Sequence, residues 1–176
     1  MKHIILIGFK HVGKSRIGQS LSQELGLPYI DLDWALQERY SQKQGVARSC
    51  REIMKEHGHI YFRALEHETL QDVLQRPEQT VISLGGGAAL QLDHHALLRK
   101  HTVVHVTSPK SFVYERIMVN GRPAFFGAEK NAHDAFERVW RERIPVYEEL
   151  AHLTIQNNGT IQEAANKLKL CLSAVI

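Results

Sequence analysis

The chain reads as an α/β protein built on a parallel β-sheet, and two features predict this. Short apolar runs alternate with longer amphipathic stretches along the 176 residues, which is the pattern of successive βα units. The first run, Ile4 to Ile7, passes directly into Gly8-Phe9-Lys10-His11-Val12-Gly13-Lys14-Ser15, which satisfies G-x-x-x-x-G-K-[ST] at every fixed position. A short turn between a buried strand and a helix aims backbone N–H groups and the positive end of the helix dipole at a polyphosphate. In that setting Gly13 lets the backbone come close, Lys14 reaches the β- and γ-phosphates, and Ser15 places a hydroxyl on a magnesium ion. A glycine-rich turn ending in lysine by chance would lack the strand before it and the amphipathic helix after it.

Five strands are expected, at Ile4 to Ile7, Pro28 to Asp31, Thr80 to Leu84, Thr102 to Thr107 and Leu153 to Gln156. The first helix should run from about Ser15 to Leu25, with Ile17, Leu21 and Leu25 on one face, and stop at Gly26 ahead of Pro28. The last should start at Thr160, whose hydroxyl and Glu163 form a capping box, and continue through Ala164, Leu168 and Leu172. Residues 120–134, rich in Gly, Pro and small polar residues between two helical patterns, suit a mobile loop or an ordinary surface connection.

Length fits a single domain with an ample core. The net charge of +3 comes from scattered basic residues, which suits small anionic ligands as well as any nucleic acid. Cys50 and Cys171 are far apart, with no C-x-x-C pairing to suggest zinc or a disulfide framework. No segment approaches membrane-spanning length, so a cytoplasmic protein is expected. His57 with His59, and His94 with His95, lack a third ligand at metal-binding spacing and read as surface or helix-end residues.

In open α/β sheets the chemistry gathers outside the carboxyl ends of the strands. The second strand ends in Asp31-Leu32-Asp33, whose alternation sets both carboxylates on one side near the phosphate loop, for metal binding and acceptance of a hydroxyl proton. Capping of the next helix by Asp33 is the competing reading. The third strand ends in Gly85-Gly86-Gly87, which leaves no side chain between backbone and ligand. Arg63 and Glu66 stand at i and i+3 on a helical face and can pair there on the surface. Arg138, Arg141 and Arg143 lie on one charged helix, where only the neighbouring Pro145 and Tyr147 single out Arg143.

In this order, the phosphate loop, Asp31-x-Asp33, Phe62-Arg63 with Glu66, Gly85-Gly86-Gly87, Arg122-Pro123 and Arg143-x-Pro145-x-Tyr147 resemble the shikimate kinases, a P-loop family of the nucleoside-monophosphate-kinase-like group. The resemblance runs from the first strand to the last helix. It implies a three-layer P-loop kinase fold whose five-stranded parallel sheet has the order 2-3-1-4-5, forming one domain over residues 1–176. A substrate-binding helical segment at about 33–63 and a lid at about 120–134 complete that domain. It implies transfer of the γ-phosphoryl of ATP to the 3-hydroxyl of shikimate in aromatic amino-acid synthesis, by a monomer acting on small molecules, with no nucleic acid or membrane partner.

The roles implied are these. Asp33, Lys14 and Arg122 are catalytic, and Asp33, Arg63, Gly86 and Arg143 bind the acceptor. His11, Val12, Gly13, Lys14, Ser15, Arg16 and Arg122 contact ATP, while Ser15 and, through water, Asp31 hold Mg2+. A guanidinium meets a carboxylate with two parallel hydrogen bonds, which suits Arg63 and Arg143 to the shikimate carboxylate. The sequence departs from the family pattern at His11, a frequent glycine, at Arg16, at His59, at Ala124-Phe125, and in residues 44–53, where an insertion is expected. A gluconate or nucleotide kinase of the same fold, or a non-catalytic nucleotide-binding module, are the rival functions.

Overall fold

A computed structural model describes residues 2–121, 123–128 and 130–173. Its centre is a five-stranded, wholly parallel sheet in the order β2-β3-β1-β4-β5, as expected. The strands are β1 (Ile4–Ile7), β2 (Tyr29–Asp31), β3 (Val81–Ser83), β4 (Thr102–Thr107) and β5 (Leu153–Gln156). Every residue of β1 is buried, although successive side chains point to opposite faces, so helices must cover the sheet on both sides. Ile5 of β1 stands between Ile82 of β3 and Val103 of β4, at the middle of the main core. The edge strand β5 buries only Ile155.

The helices are α1 (Lys14–Leu25), α2 (Leu32–Gln44), α3 (Cys50–Leu74), α4 (Leu92–Leu98), α5 (Lys110–Val119), α6 (Ala132–Leu150) and α7 (Ile161–Ser173). Gly26 closes α1 in the left-handed conformation (φ 64°), and Leu27 N–H donates to Ser22 O at 2.9 Å. At the start of α7, Thr160 and Glu163 exchange the two hydrogen bonds of a capping box, at 2.8 and 3.2 Å. A second box, Ser49 with Glu52, opens α3; the sequence reading passed over this signal in residues 44–53. α3 bends at Gly58, whose φ of 81° and ψ of 175° interrupt the helix.

Helices α2 and α3 enclose a small core of their own, Leu36, Tyr40, Ile53, Phe62 and Leu65, apart from the core around the sheet. The segment expected as a lid holds a short 3-10 turn, Ala124–Phe126, and its last residues are the first turn of α6. Phe126 is fully buried in the main core. Among the described residues no helix is long and apolar enough to cross a membrane.

Two histidines in the sheet layer make stability depend on pH. Burial, with His3 next to it, lowers the pKa of His101 to about 4, and burial, with Lys14 nearby, lowers that of His105 to about 4, against an ordinary 6.5. A base whose pKa is depressed by folding contributes stability that is complete above the unfolded value, near 6.5, and is lost as pH falls toward about 4. His105 packs against Tyr147, with ring centroids 5.5 Å apart, and neither ring nitrogen has a hydrogen-bond partner among the described residues. His105→Phe keeps a ring there and removes the proton site. The Tm of the parent should therefore fall more between about pH 7 and pH 5 than that of His105→Phe, measured by calorimetry. Equal falls would show that His105 takes no part in acid sensitivity.

Candidate active site

The phosphate loop turns sharply where β1 ends. A side chain at Gly8 (φ 141°) would run into Val106 O, and a Cβ at Gly13 (φ 101°) would stand 2.6 Å from Asn157 Nδ2, so both positions need glycine. His11 takes a left-handed φ of 64° without being glycine, and its carbonyl accepts from Arg116 Nη1 at 3.2 Å. Asn157 Nδ2 donates to Val12 O at 2.8 Å, which ties the loop to the end of β5. Lys14 is buried, and its Nζ donates to Gly8 O at 3.0 Å and Phe9 O at 2.8 Å. Burial lowers its pKa to about 8, opposed by the charges of Asp33 and Asp31.

The two aspartates divide their work. Asp31, not Asp33, caps α2: its Oδ1 accepts from Asp33 N–H at 3.1 Å and Trp34 N–H at 3.4 Å, while its Oδ2 accepts from Ser15 Oγ at 2.7 Å. Asp33 is left free of capping duty, in the first turn of α2. Its carboxylate lies so close to Gly85 that a Cβ there would collide with Oδ1. Burial raises its pKa, and Asp31 adds to the rise; Lys14, Lys10 and Arg63 act against it. A carboxylate with raised proton affinity is suited to take a proton from an acceptor hydroxyl.

Arg63 and Glu66 do pair as their spacing suggested, at 2.5 Å, but inside the protein rather than on its surface, for the Glu66 side chain is only 3% exposed. A Cβ at Gly87 would lie 2.7 Å from Arg63 Nη2, so the guanidinium packs directly on that backbone. Tyr147 Oη donates to Gly86 O at 2.5 Å and Arg143 Nη1 approaches the same carbonyl at 3.5 Å. The Arg143 guanidinium stands 4.4 Å from the centroid of Phe125 and 5.6 Å from that of Phe9. Burial lowers its pKa, and Arg63 contributes to the lowering, so the two cations share one enclosure. Arg141 remains exposed on α6, and Arg138 is half-buried there.

Beside the loop opens a cavity of about 840 Å³ whose lining includes His11, Arg16, Arg116, Asn157, Thr160 and Gln162. Gly13 borders it too, and buried Val12 supports the loop from below. The sequence reading missed Arg116 and Asn157. Asn157 had a usable signal, its place at the carboxyl end of β5, and its buried Oδ1 has no hydrogen-bond partner among the described residues. Arg122 lies outside the described residues. Among those described, no three His, Cys, Asp or Glu side chains gather as a metal site. His57 bonds Tyr40 Oη at 2.8 Å, and His94 is buried rather than on the surface.

Residues 10–173 match the family model for shikimate kinase. The chain is 32% identical to the shikimate kinase of Flavobacterium johnsoniae over 173 residues, 96% of this chain and 97% of that one. It is 34% identical to that of Nitrosomonas europaea over 174 residues, 95% and 78% of the two. Its fold superposes on the shikimate kinase of Acinetobacter baumannii in complex with shikimate with a TM-score of 0.83 at 28% identity, covering 99% of this chain and 94% of the other. A family model that spans nearly the whole chain, and a relative 32% identical over almost its full length, show that the chain belongs to the shikimate kinase family.

Proposed function

We propose that this enzyme transfers the γ-phosphoryl group of ATP to the 3-hydroxyl of shikimate, giving ADP and shikimate 3-phosphate. The carrying observation is the placement of half-buried Asp33, whose carboxylate packs on Gly85 and feels the charges of Lys14 in the phosphate loop and of Arg63 on the glycine turn. Phosphoryl transfer asks mainly for positioning and charge balance. Lys14 is already desolvated and exchanges its two carbonyl partners for phosphate oxygens. Arg63 and Arg143 hold the shikimate carboxylate against Gly86 and Gly87, which directs the ring hydroxyl to Asp33. Asp33 takes the hydroxyl proton as the oxygen forms its bond to phosphorus and the bond to ADP breaks.

His11, Val12, Gly13, Ser15 and Arg16 complete the nucleotide contacts in this reading, and Arg122 closes over the γ-phosphate. Ser15 Oγ and Asp31 Oδ2, hard oxygen donors 2.7 Å apart, fit Mg2+, which takes few protein ligands besides phosphates. Bound there, the ion would neutralise phosphate charge. Two free thiols, Cys50 and Cys171, support a cytoplasmic setting.

A coupled assay of ADP release against shikimate, quinate, gluconate and nucleoside monophosphates tests the assignment. Rapid release should require shikimate. Equal turnover with no acceptor, or a preference for gluconate, would remove it.

Lys14→Ala should lower kcat by about a hundredfold or more, since its charge meets phosphates where negative charge redistributes. Asp33→Asn should lower kcat by about a hundredfold with ATP affinity retained, measured by calorimetric titration. Asp31→Asn should instead shift activity to higher magnesium concentration. Matching magnesium profiles for the two aspartate variants would contradict the division of roles.

Arg63→Ala and Arg143→Ala should each weaken shikimate by about 2 kcal/mol or more, because each strips the carboxylate of a charge-assisted bond. Shikimate methyl ester should be a poor substrate for the parent. Its phosphorylation at the parent rate would leave both arginines without their assigned purpose.

Gly121 and Gly127, with φ of 87° and 64°, flank the turn that carries Phe125, and so allow hinge-like motion about it. Amide exchange in residues 120–131 should slow when ATP and shikimate are both bound, and Arg122→Ala should cost about tenfold in kcat. Unchanged exchange together with a normal Arg122→Ala rate would make the segment a plain connection.

A further inference from the structure

Arg63 is held unevenly. Glu66 takes Nη1 and the Gly87 backbone abuts Nη2, while its Nε is buried with no hydrogen-bond partner among the described residues. One helical turn further along α3, His67 lies face to face with His94 of α4, with ring centroids 5.1 Å apart and planes within 17° of parallel. His94 is buried and its Nδ1 donates to Ala88 O at 2.8 Å, so that nitrogen carries the proton. His95 Nε2 reaches Ala89 O at 3.0 Å in the same way. Successive histidines of α4 thus pin the 3-10 turn, Ala88–Leu90, that directly follows Gly85 to Gly87. His67 Nδ1 is itself buried without a hydrogen-bond partner among the described residues, and the stack on His94 is the ring contact that orients it.

These contacts close a circuit: from Arg63 across Gly87 to Ala88, through His94, across the stack to His67, and back one turn of α3 to Arg63. We propose that the His67–His94 stack, with the His94–Ala88 hydrogen bond, is a positioning device that sets the separation of Arg63 from the Gly87 backbone and thereby the affinity for the acceptor's carboxylate. The inference rests on the shikimate kinase reading of the site. Both histidines are positioning residues, since they act through Arg63. Burial disfavours the charged form of His94, and His67 and Arg63 disfavour it further, which keeps the stacked ring neutral next to the arginine. Glu66 and Asp93 are the acidic groups on the two helices that face this cluster.

The test is steady-state kinetics at neutral pH on the parent, His67→Phe, His67→Ala, His94→Asn and His94→Ala, with Tm recorded for each. His67→Phe retains a flat ring and should keep the parent KM for shikimate. His67→Ala should raise that KM by about fivefold while kcat and the KM for ATP stay within about twofold. His94→Asn, which can still donate to Ala88 O, should recover part of what His94→Ala loses. Should His94→Ala fail to fold, the half-buried His67 variants decide the matter. Equal KM values for His67→Phe and His67→Ala, or a KM for ATP and a kcat that worsen in step with shikimate, would overturn the positioning role. A parent with no shikimate-dependent turnover would overturn the underlying reading as well, whereas an active parent with unmoved His67 variants overturns this inference alone.

Discussion

The backbone of Gly85, Gly86 and Gly87 is the surface from which the acceptor side of this enzyme takes its measure. Asp33 packs against the first glycine, Tyr147 and Arg143 meet the carbonyl of the second, and Arg63 lies on the third. These groups arrive from α2, α6 and α3, which are far apart in sequence. Side chains reaching in from separate helices carry the positional scatter of each helix, but a shared backbone reference removes most of it. The turn is itself fixed, because it leaves β3 beside the fully buried β1 and runs into a helical turn bonded to α4.

Charge is concentrated around that turn in a way that the protein alone does not balance. Lys14, Arg63 and Arg143 are drawn into buried or half-buried positions, and the pKa of both Lys14 and Arg143 is depressed by burial. Of the acids there, Asp33 and Glu66 are pushed toward the neutral form by the same burial, and Asp31 is engaged by Ser15 and the first turn of α2. Such a site is a poor bargain for the empty fold and a good one for a complex with polyphosphate and carboxylate, since the ligands bring the missing negative charge. Binding energy is directed at the reacting groups for that reason.

Much of this was legible in the sequence. The strand-loop-helix at the amino end, all five strands, and the helix boundaries at Gly26 and Thr160 follow from local signals whose physics is short-range, whereas the sheet order follows only from the family resemblance. Asp33, Arg143 and Arg63 lie against Gly85, Gly86 and Gly87 in turn. What sequence could not resolve depends on which side of an element faces inward. The i, i+3 pair Arg63–Glu66 looks the same on a wet or a dry face, and only packing of α3 shows it to be dry. Likewise Asp31 and Asp33 are both good caps, and the choice falls to Asp31 because Ser15 and Tyr29 hold its other oxygen. A lone arginine on a helix, such as Arg116, carries no local mark of the loop it supports, whereas Asn157 is marked only by its place after β5.

The separate small core shared by α2 and α3 has an implication for how this fold can diversify. Leu36, Tyr40, Ile53, Phe62 and Leu65 stabilise the helical pair from within, and the connection between the helices, residues 45–49, is exposed or half-buried. Exchanges confined to those five positions and to residues 45–49 can therefore be absorbed within the helical pair, whereas Leu32, Leu70 and Val73 of the same helices belong to the core around the sheet. Cys50, whose Sγ lies 3.4 Å from the backbone oxygen of Asp33, joins the start of α3 to the first turn of α2. The helical pair thus has a far end whose packing is its own and a near end, with Asp33 and Arg63, anchored against the glycine turn, so that change tolerated at the far end leaves those two side chains where they are.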